Sequence, residues 1–257
     1  MKRVLVTGAN GQLGLALQGA AKDFPLDLVL MDKHSLDITN AEAIKDVFAK
    51  QSFAVCINTA AYTDVDGAGS NKELAYAING MTVETLAKTC KQTGCWLIHI
   101  STDYVFDGTL DRSYTPSDTP NPLNVYGASK LAGEQAIQAV GGNYSVVRTS
   151  WLYSQYGNNF YTKLQAQLDA GKTLQVTADQ EGCPTRAEDL ATHLLTGIAN
   201  QQLSKGISHY CGSEVMTWLG LARKLFPNHE IMKWSGASSL AIRPKKVVLK
   251  NNNSSTV

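Results

Sequence analysis

The sequence predicts an α/β protein: a doubly wound parallel sheet with a second, smaller lobe drawn mainly from the C-terminal half. Three observations carry this. Apolar runs alternate with helical stretches through residues 1–150, and strands separated by helices pair in parallel through right-handed crossovers. The runs are continuously apolar, as expected of strands covered on both faces. The chain has 257 residues, 44% hydrophobic and 18% charged, enough apolar material for one α/β domain with a small appendage.

In order, residues 4–7 read as a strand, a glycine-rich turn follows, and residues 12–22 read as a helix. Strand 26–31, helix 41–50, strand 54–59, helix 71–92 and strand 95–101 come next. A proline-rich crossing leads to a helix through Tyr126, and residues 145–149 make a further strand. Beyond Trp151 the rhythm changes to a helix at 158–170, a short strand at 174–176, a helix at 187–199 and shorter pieces. Residues 1–150 are therefore read as a dinucleotide-binding domain and 151–257 as mostly the substrate-side lobe, the chain crossing back near 173–200. The polar end, residues 251–257, is expected to fray.

Composition excludes several classes. Net charge is +1, from 23 Lys+Arg against 22 Asp+Glu, so there is no basic bias towards nucleic acid. No apolar run approaches the roughly 18–20 residues of a membrane span, and the N-terminus is too short and glycine-broken for a signal peptide. Five cysteines (Cys56, Cys90, Cys95, Cys183, Cys211) are odd in number and scattered. They read as core thiols of a reducing cytoplasm, not disulfides or metal ligands. The five histidines show no metal-ligand spacing either.

The segment Thr7-Gly8-Ala9-Asn10-Gly11-Gln12-Leu13-Gly14 leaves the first strand and opens the first helix. Its glycines permit a tight turn, close backbone approach to a pyrophosphate and close helix–strand packing. The helix N-terminus offers N–H groups to the same anion. This points to a dinucleotide on a Rossmann-like sheet, with Gly8, Gly11, Gln12 and Leu13 in contact with it. Asp32 ends the second strand, where an acid takes the adenosine ribose hydroxyls. Lys33 and His34 follow at once and suit a 2′-phosphate, so the expectation is NADPH with NADH possible. Asp37-Ile38 either sits against the adenine or prepares the helix at residue 41. Ala60, Ala61 and Tyr62 close the third strand, where small residues let a cofactor cross the sheet edge.

Tyr126 and Lys130 lie four apart on a helix, which stacks their Cβ atoms about 5–6 Å apart. An ammonium beside a phenol lowers its pKa from about 10 towards neutrality, and such a tyrosine can protonate a carbonyl oxygen. Asn79, inside an apolar helical stretch, either satisfies a buried backbone group or orders a water near the lysine.

With Asn58-Thr59-Ala60-Ala61-Tyr62-Thr63, Ser101-Thr102-Asp103-Tyr104-Val105-Phe106-Asp107-Gly108 and Tyr126-Gly127-Ala128-Ser129-Lys130 in order after the glycine turn, the chain resembles the extended short-chain dehydrogenase/reductases. More narrowly it resembles the dTDP-4-dehydrorhamnose reductase family, through Leu36-Asp37-Ile38-Thr39, Asn121-Pro122-Leu123-Asn124, Arg148-Thr149-Ser150-Trp151, Asp179-Gln180 and Arg243-Pro244. The resemblance implies hydride transfer from a nicotinamide to the 4-keto carbon of a dTDP-linked 6-deoxyhexose, for a surface polysaccharide. It implies Tyr126 as general acid and Thr102 holding the carbonyl or the tyrosine. Lys130 would bind the nicotinamide ribose and tune Tyr126. Val65, Thr102, Tyr104, Tyr126 and Trp151 match positions shaping the sugar pocket, although Val65, Tyr104 and Trp151 could equally serve packing.

The chain departs from that pattern in two places. Lys246-Val247 stands where Asn-Ser is usual after residues 243–245, and the sequence stops roughly one helix early. Leu15-Ala16 replaces a glutamate that would bridge a metal-linked dimer with Glu188-Asp189, so no metal is expected and the protein is expected as monomer or homodimer. Two other activities compete. A 4,6-dehydratase or 4-epimerase shares the scaffold, but dehydratases place Asp-Glu after the catalytic threonine, whereas Thr102 is followed by Asp103-Tyr104. A non-catalytic regulatory subunit of methionine adenosyltransferase also resembles this family.

Overall fold

A computed structural model describes residues 1–234 and 240–252. The elements in chain order are β1 (Lys2–Thr7), α1 (Gln12–Ala20), β2 (Leu26–Met31), α2 (Ala41–Lys50), β3 (Val55–Asn58), α3 (Gly67–Ser70), α4 (Lys72–Tyr76), α5 (Thr82–Thr93) and β4 (Trp96–Thr102). They continue with α6 (Val125–Val140), β5 (Tyr144–Thr149), β6 (Leu152–Tyr153), α7 (Phe160–Asp169), β7 (Leu174–Thr177), β8 (Glu181–Gly182) and β9 (Thr185–Arg186). The last are α8 (Ala187–Ala199), β10 (Gly206–His209), β11 (Met216–Thr217), α9 (Trp218–Leu225) and β12 (Ile231–Trp234).

Six strands form one sheet in the order β10-β5-β4-β3-β1-β2, every neighbouring pair parallel. The continuously apolar strands are explained by the pleat: Val4 and Val6 face one layer and Leu5 the other. The first layer joins Val4, Val6, Val55, Ile57, Ile98 and Val147 to Leu13 and Leu17 of α1 and Leu190 and Leu194 of α8. The second joins Leu5, Cys56, Leu97 and Val146 to Ile44 and Phe48 of α2, Leu86 of α5 and Ile137 of α6. The doubly wound sheet is thus as the sequence predicts. Its sixth strand is not: Gly206-Ile207-Ser208-His209 is four residues long and half polar, and pairing with β5 makes it a strand. Helix α8 packs on α1, so both elements belong to the sheet.

A smaller lobe has a core of its own, formed by Leu164, Leu174, Val176, Leu219, Ala222, Phe226 and Ile231. It consists of α7, β7, α9 and β12. Residues 245–250 run beside Tyr114 and Glu181. Tyr114 N donates to Val248 O and Lys250 N to Tyr114 O, while Glu181 N donates to Lys245 O and Val247 N to Glu181 O. Val247, one of the unusual residues in this stretch, is 2% exposed and packs with Phe106, Tyr114 and Leu249. Asn251 and Asn252 are not frayed: their side-chain oxygens accept from Cys211 N and His209 N. The remaining polar end, 253–257, lies outside the described residues.

The helix expected over 71–92 is interrupted. A π turn, Ala77–Met81, separates α4 from α5, a distortion common near functional sites. Asn79 lies within this turn, and its side chain serves other parts of the chain. Asn79 accepts from Tyr62 N (2.9 Å) and donates to Tyr62 O (3.0 Å) and to Ser129 Oγ (2.9 Å). Of the two sequence readings, the structure shows the first: Asn79 satisfies a loop backbone. Helix α6 approaches this turn so closely that a Cβ on Gly133 would lie 2.2 Å from Asn79 O.

Candidate active site

The carboxyl ends of β1, β3, β4 and β5 converge on one edge, where ligands of such sheets bind. At β1 the turn is shaped by close approach. Gly8 has φ +68°, and a Cβ there would lie 2.8 Å from Ala60 Cα; one on Gly14 would lie 2.5 Å from Gly8 O and Ala9 O. Gly11 is the N-cap of α1 and supplies no side-chain cap, and the first turn carries no acid. The opening N–H groups of α1 therefore remain available to an anion.

The other cofactor-side residues take distinct places. Asp32 ties two turns together: Oδ2 accepts from Asn10 Nδ2 (2.6 Å), and Oδ1 from His34 N and Ser35 N. The Ser35 bonds, from its backbone N and from its Oγ, and then the bond from His34 N hold its carboxyl below the usual range. Lys33 and His34 stand exposed beside it. Asp37 Oδ1 accepts from Thr39 N and Thr39 Oγ1, and Asn40, not Asp37, caps α2. Ile38 and Leu13 turn their side chains into the two core layers, leaving backbone to the site. Gln12 is held by Leu152 O and Ser154 Oγ. Ala60, Ala61 and Tyr62 lie half-buried after β3.

Thr102, Tyr126 and Lys130 are brought together at the end of β4 and the first turns of α6. Asn124 caps that helix by accepting from Gly127 N (2.9 Å). A Cβ on Gly127 would meet Tyr104 O at 2.2 Å, which seats the helix directly on the Thr102–Tyr104 turn. Tyr104 and Tyr126 meet edge to face, ring centroids 5.6 Å apart. Thr102 Oγ1 donates to Asp103 Oδ1 (3.1 Å) and accepts from Tyr104 N (3.2 Å).

The electrostatics differ from the sequence expectation in one respect. The Tyr126 phenol is pushed well above its ordinary value, first by burial of its hydroxyl; the hydrogen-bonded Thr102 hydroxyl acts the other way. Lys130 is not among the groups that lower it; its Nζ donates to Ile100 O (2.7 Å) and lies 3.3 Å from His99 Nε2. Burial brings Lys130 down to about 8, and Glu134, one turn further along α6, partly offsets this. His99 is itself part of a buried chain, with Nδ1 3.0 Å from Asn58 Nδ2 and Asn58 Oδ1 accepting from Thr7 Oγ1 at 2.6 Å.

Several residues here escaped the sequence reading. Arg243 Nη1 donates to Tyr104 OH (2.9 Å) and Nη2 to Asp66 Oδ2 (2.9 Å), so the C-terminal segment clasps the edge of the site beside Val65. Arg243 stood in a recognised motif, but nothing local marks Asp66, 177 positions away. Trp151 stacks on Trp218, another partner without a local signal. Asp103 is buried at 3% exposure and accepts from Ser150 Oγ at 2.7 Å. It is therefore no free acid in a cleft, and Tyr104 occupies the following position.

Burial pushes Asp103 up to about 6, its hydrogen bonds from Ser150 and Thr102 opposing. A carboxyl with a raised folded-state pKa stabilises the protein fully below its unfolded value near 3.8, and that contribution is lost as pH rises through about 6. The shift corresponds to about 3 kcal/mol. Asp103→Asn should thus match wild type in Tm near pH 4 and exceed it by a margin that grows towards pH 7. A constant offset across that range would exclude the raised pKa.

The family model described as the RmlD substrate binding domain matches residues 1–256. The chain is 38% identical over 248 residues to a dTDP-4-dehydrorhamnose reductase of Mycobacterium tuberculosis, covering 95% of this chain and 79% of that one. It is 37% identical over 230 residues to that of Salmonella typhimurium, covering 87% and 77%. Among solved structures, dTDP-4-dehydrorhamnose reductase from Bacillus anthracis in complex with NADP superposes with a TM-score of 0.92 at 36% identity, over 98% of this chain and 91% of that one. With the glycine cradle, the Thr102–Tyr126–Lys130 cluster and a match along nearly its whole length, the chain belongs to the RmlD substrate-binding-domain family of reductases.

Proposed function

We propose that the protein is an NADPH-dependent oxidoreductase that reduces the 4-keto group of dTDP-4-dehydro-L-rhamnose to give dTDP-L-rhamnose for cell-surface polysaccharide. The observation that carries this is the Thr102–Tyr126–Lys130 cluster at the mouth of a dinucleotide cradle. Relatives named for this reaction cover most of the chain, and the Bacillus anthracis structure is a complex with NADP.

The residues present fit the cofactor. The space a Cβ would fill at Gly8 and Gly14, and the open N–H groups of α1, suit a pyrophosphate. Asp32 suits ribose hydroxyls, while exposed Lys33 and His34 suit a 2′-phosphate, so NADPH is preferred with NADH tolerated. When bound, the nicotinamide supplies the hydride. Lys130 would hold its ribose. Thr102 would orient the substrate carbonyl, and Tyr126, neutral at pH 7, would donate its proton to the oxygen as charge develops there.

The division of labour follows the cores. The sheet with α8 and β10 serves the cofactor, and α7, β7, α9 and β12 serve the sugar with Val65, Tyr104 and Trp151. The enzyme is expected in the cytoplasm, as monomer or homodimer; separately, no described helix is long and apolar enough to cross a membrane. The test is consumption of NADPH, and separately NADH, with enzymatically made dTDP-4-dehydro-L-rhamnose. Turnover with NADPH, and weaker turnover with NADH, is expected. Tight NADPH binding without any consumption would retire the reductase reading and turn attention to a protein partner.

A further inference from the structure

We propose that Trp218 is a positioning residue: it fixes the plane of Trp151 and thereby sets affinity for the sugar without touching it. The inference rests on the reductase reading, in which Trp151 faces the deoxysugar, and deepens it.

Trp151 sits at a junction where the chain leaves β5 for β6, with φ +47°. Bulky residues seldom adopt that left-handed conformation, and they keep it when their surroundings over-determine it. Those surroundings are visible. The Trp151 and Trp218 rings lie parallel, centroids 3.7 Å apart and planes 4° apart. That near-complete overlap is less favoured between isolated rings than an offset or edge-to-face arrangement, so neighbours must hold it. Phe160 packs on Trp218 with centroids 4.6 Å apart, and Trp218 Nε1 donates to Gln180 Oε1 at 3.1 Å. Gly182 closes against the Trp151 ring, where a Cβ would lie 2.7 Å from Cε2 and 2.8 Å from Nε1. The Trp151 carbonyl accepts from Thr185 N.

Four separate segments thus hold the stacked pair: α7 through Phe160 and the β7–β8 link through Gln180 act on Trp218, while β8 through Gly182 and β9 through Thr185 act on Trp151. They leave the two indole N–H groups unlike. That of Trp218 is satisfied by Gln180. That of Trp151 has no acceptor among the described residues and is not sealed from solvent. A rigid aromatic with a donor to spare suits a deoxysugar, which offers apolar C–H groups beside hydroxyl acceptors. Trp218 spends its own polar group on Gln180 and presents Trp151 with both features aimed.

The experiment uses the full-length protein, wild type beside Trp218→Leu, Trp218→Phe and Gln180→Leu. Indoles stacked in contact couple through their transition moments, and a twist between the rings about the stacking axis gives a bisignate circular-dichroism couplet that reports the stack. Expected for Trp218→Leu are loss of the couplet and a rise of about 3–10-fold in KM for the keto sugar and in Kd for dTDP-L-rhamnose, the worth of one aromatic pair. Its kcat should stay within about twofold of wild type, and NADPH affinity should be unchanged. Trp218→Phe, a smaller perturbation that covers against misfolding of the leucine variant, loses the couplet with an intermediate KM. Gln180→Leu weakens the couplet and raises KM in step. A lost couplet with unchanged KM and product Kd makes Trp218 lobe packing only and overturns the proposal. A wild-type protein showing the couplet and binding NADPH, but neither reducing the keto sugar nor binding dTDP-L-rhamnose, overturns the reductase reading and the positioning role with it.

Discussion

Tyr126→Phe keeps NADPH bound and loses about 10²–10⁴-fold in turnover, the usual worth of a positioned general acid. The substitution removes one oxygen and leaves the ring. Its edge-to-face contact with Tyr104 survives, as do the Asn124 cap of α6 and the Lys130 anchor on Ile100 O. Cofactor affinity, which depends on the glycine cradle and the Lys130 ammonium, should therefore hold. The raised pKa of the phenol suits the direction of the reaction. A phenol kept above its ordinary value by burial stays protonated throughout the physiological range, so the acid is loaded before hydride arrives. The alkoxide that develops is a stronger base than a phenolate, and the transfer runs downhill. Single-turnover NADPH oxidation with a parallel NADPH titration separates the two effects. Undiminished turnover in the phenylalanine variant would move the acid elsewhere, and loss of NADPH binding would mean that the helix has shifted.

The sheet and the reacting groups were legible because their signals are local. Gly8, Gly11 and Gly14 sit within one turn, Tyr126 and Lys130 within one helical turn, and each apolar strand announces itself over a few residues. What was missed is held by contacts between distant segments. The four residues of β10 carry no strand signal apart from β5. The π turn at Ala77–Met81 coincides with the Asn79 bonds to Tyr62 and the close approach of Gly133, neither of which periodicity encodes. The Asp66–Arg243 clasp and the Trp151–Trp218 stack join residues far apart in the chain. The direction of the Tyr126 shift was misjudged for a related reason. Helical spacing brings Tyr126 and Lys130 to one face, but the ammonium's partners, Ile100 O and His99, lie on a strand that spacing does not describe.

The largest effect on stability should come from Glu134, behind the site. Its carboxylate accepts from Arg148 Nη2 (2.6 Å), from Arg148 Nε (2.9 Å) and from Ser101 Oγ, and both side chains of the pair are 1% exposed. The guanidinium also lies over the Phe106 ring, 5.0 Å from its centroid. The pair joins α6 to β5 and β4, the elements that present Tyr126, Lys130 and Thr102. Glu134→Ala strands the Arg148 charge in the interior, which typically costs about 3–5 kcal/mol, on the order of 10 °C in Tm for a chain of this size. The cost is that of an unpaired charge more than of a lost attraction. Glu134→Leu combined with Arg148→Met should therefore recover most of the stability, since well-packed apolar replacements of buried pairs are often neutral or better. Activity should not return fully with it. Glu134 is the group that lifts Lys130 against its burial, so without it the lysine loses its proton at lower pH. The alkaline limb of turnover should then move to lower pH in the double variant although its Tm is restored. Thermal denaturation and a pH–rate profile on the same three proteins check both halves. A double variant as unstable as Glu134→Ala would show that the pair's geometry, and not its charge balance, holds the helix to the sheet.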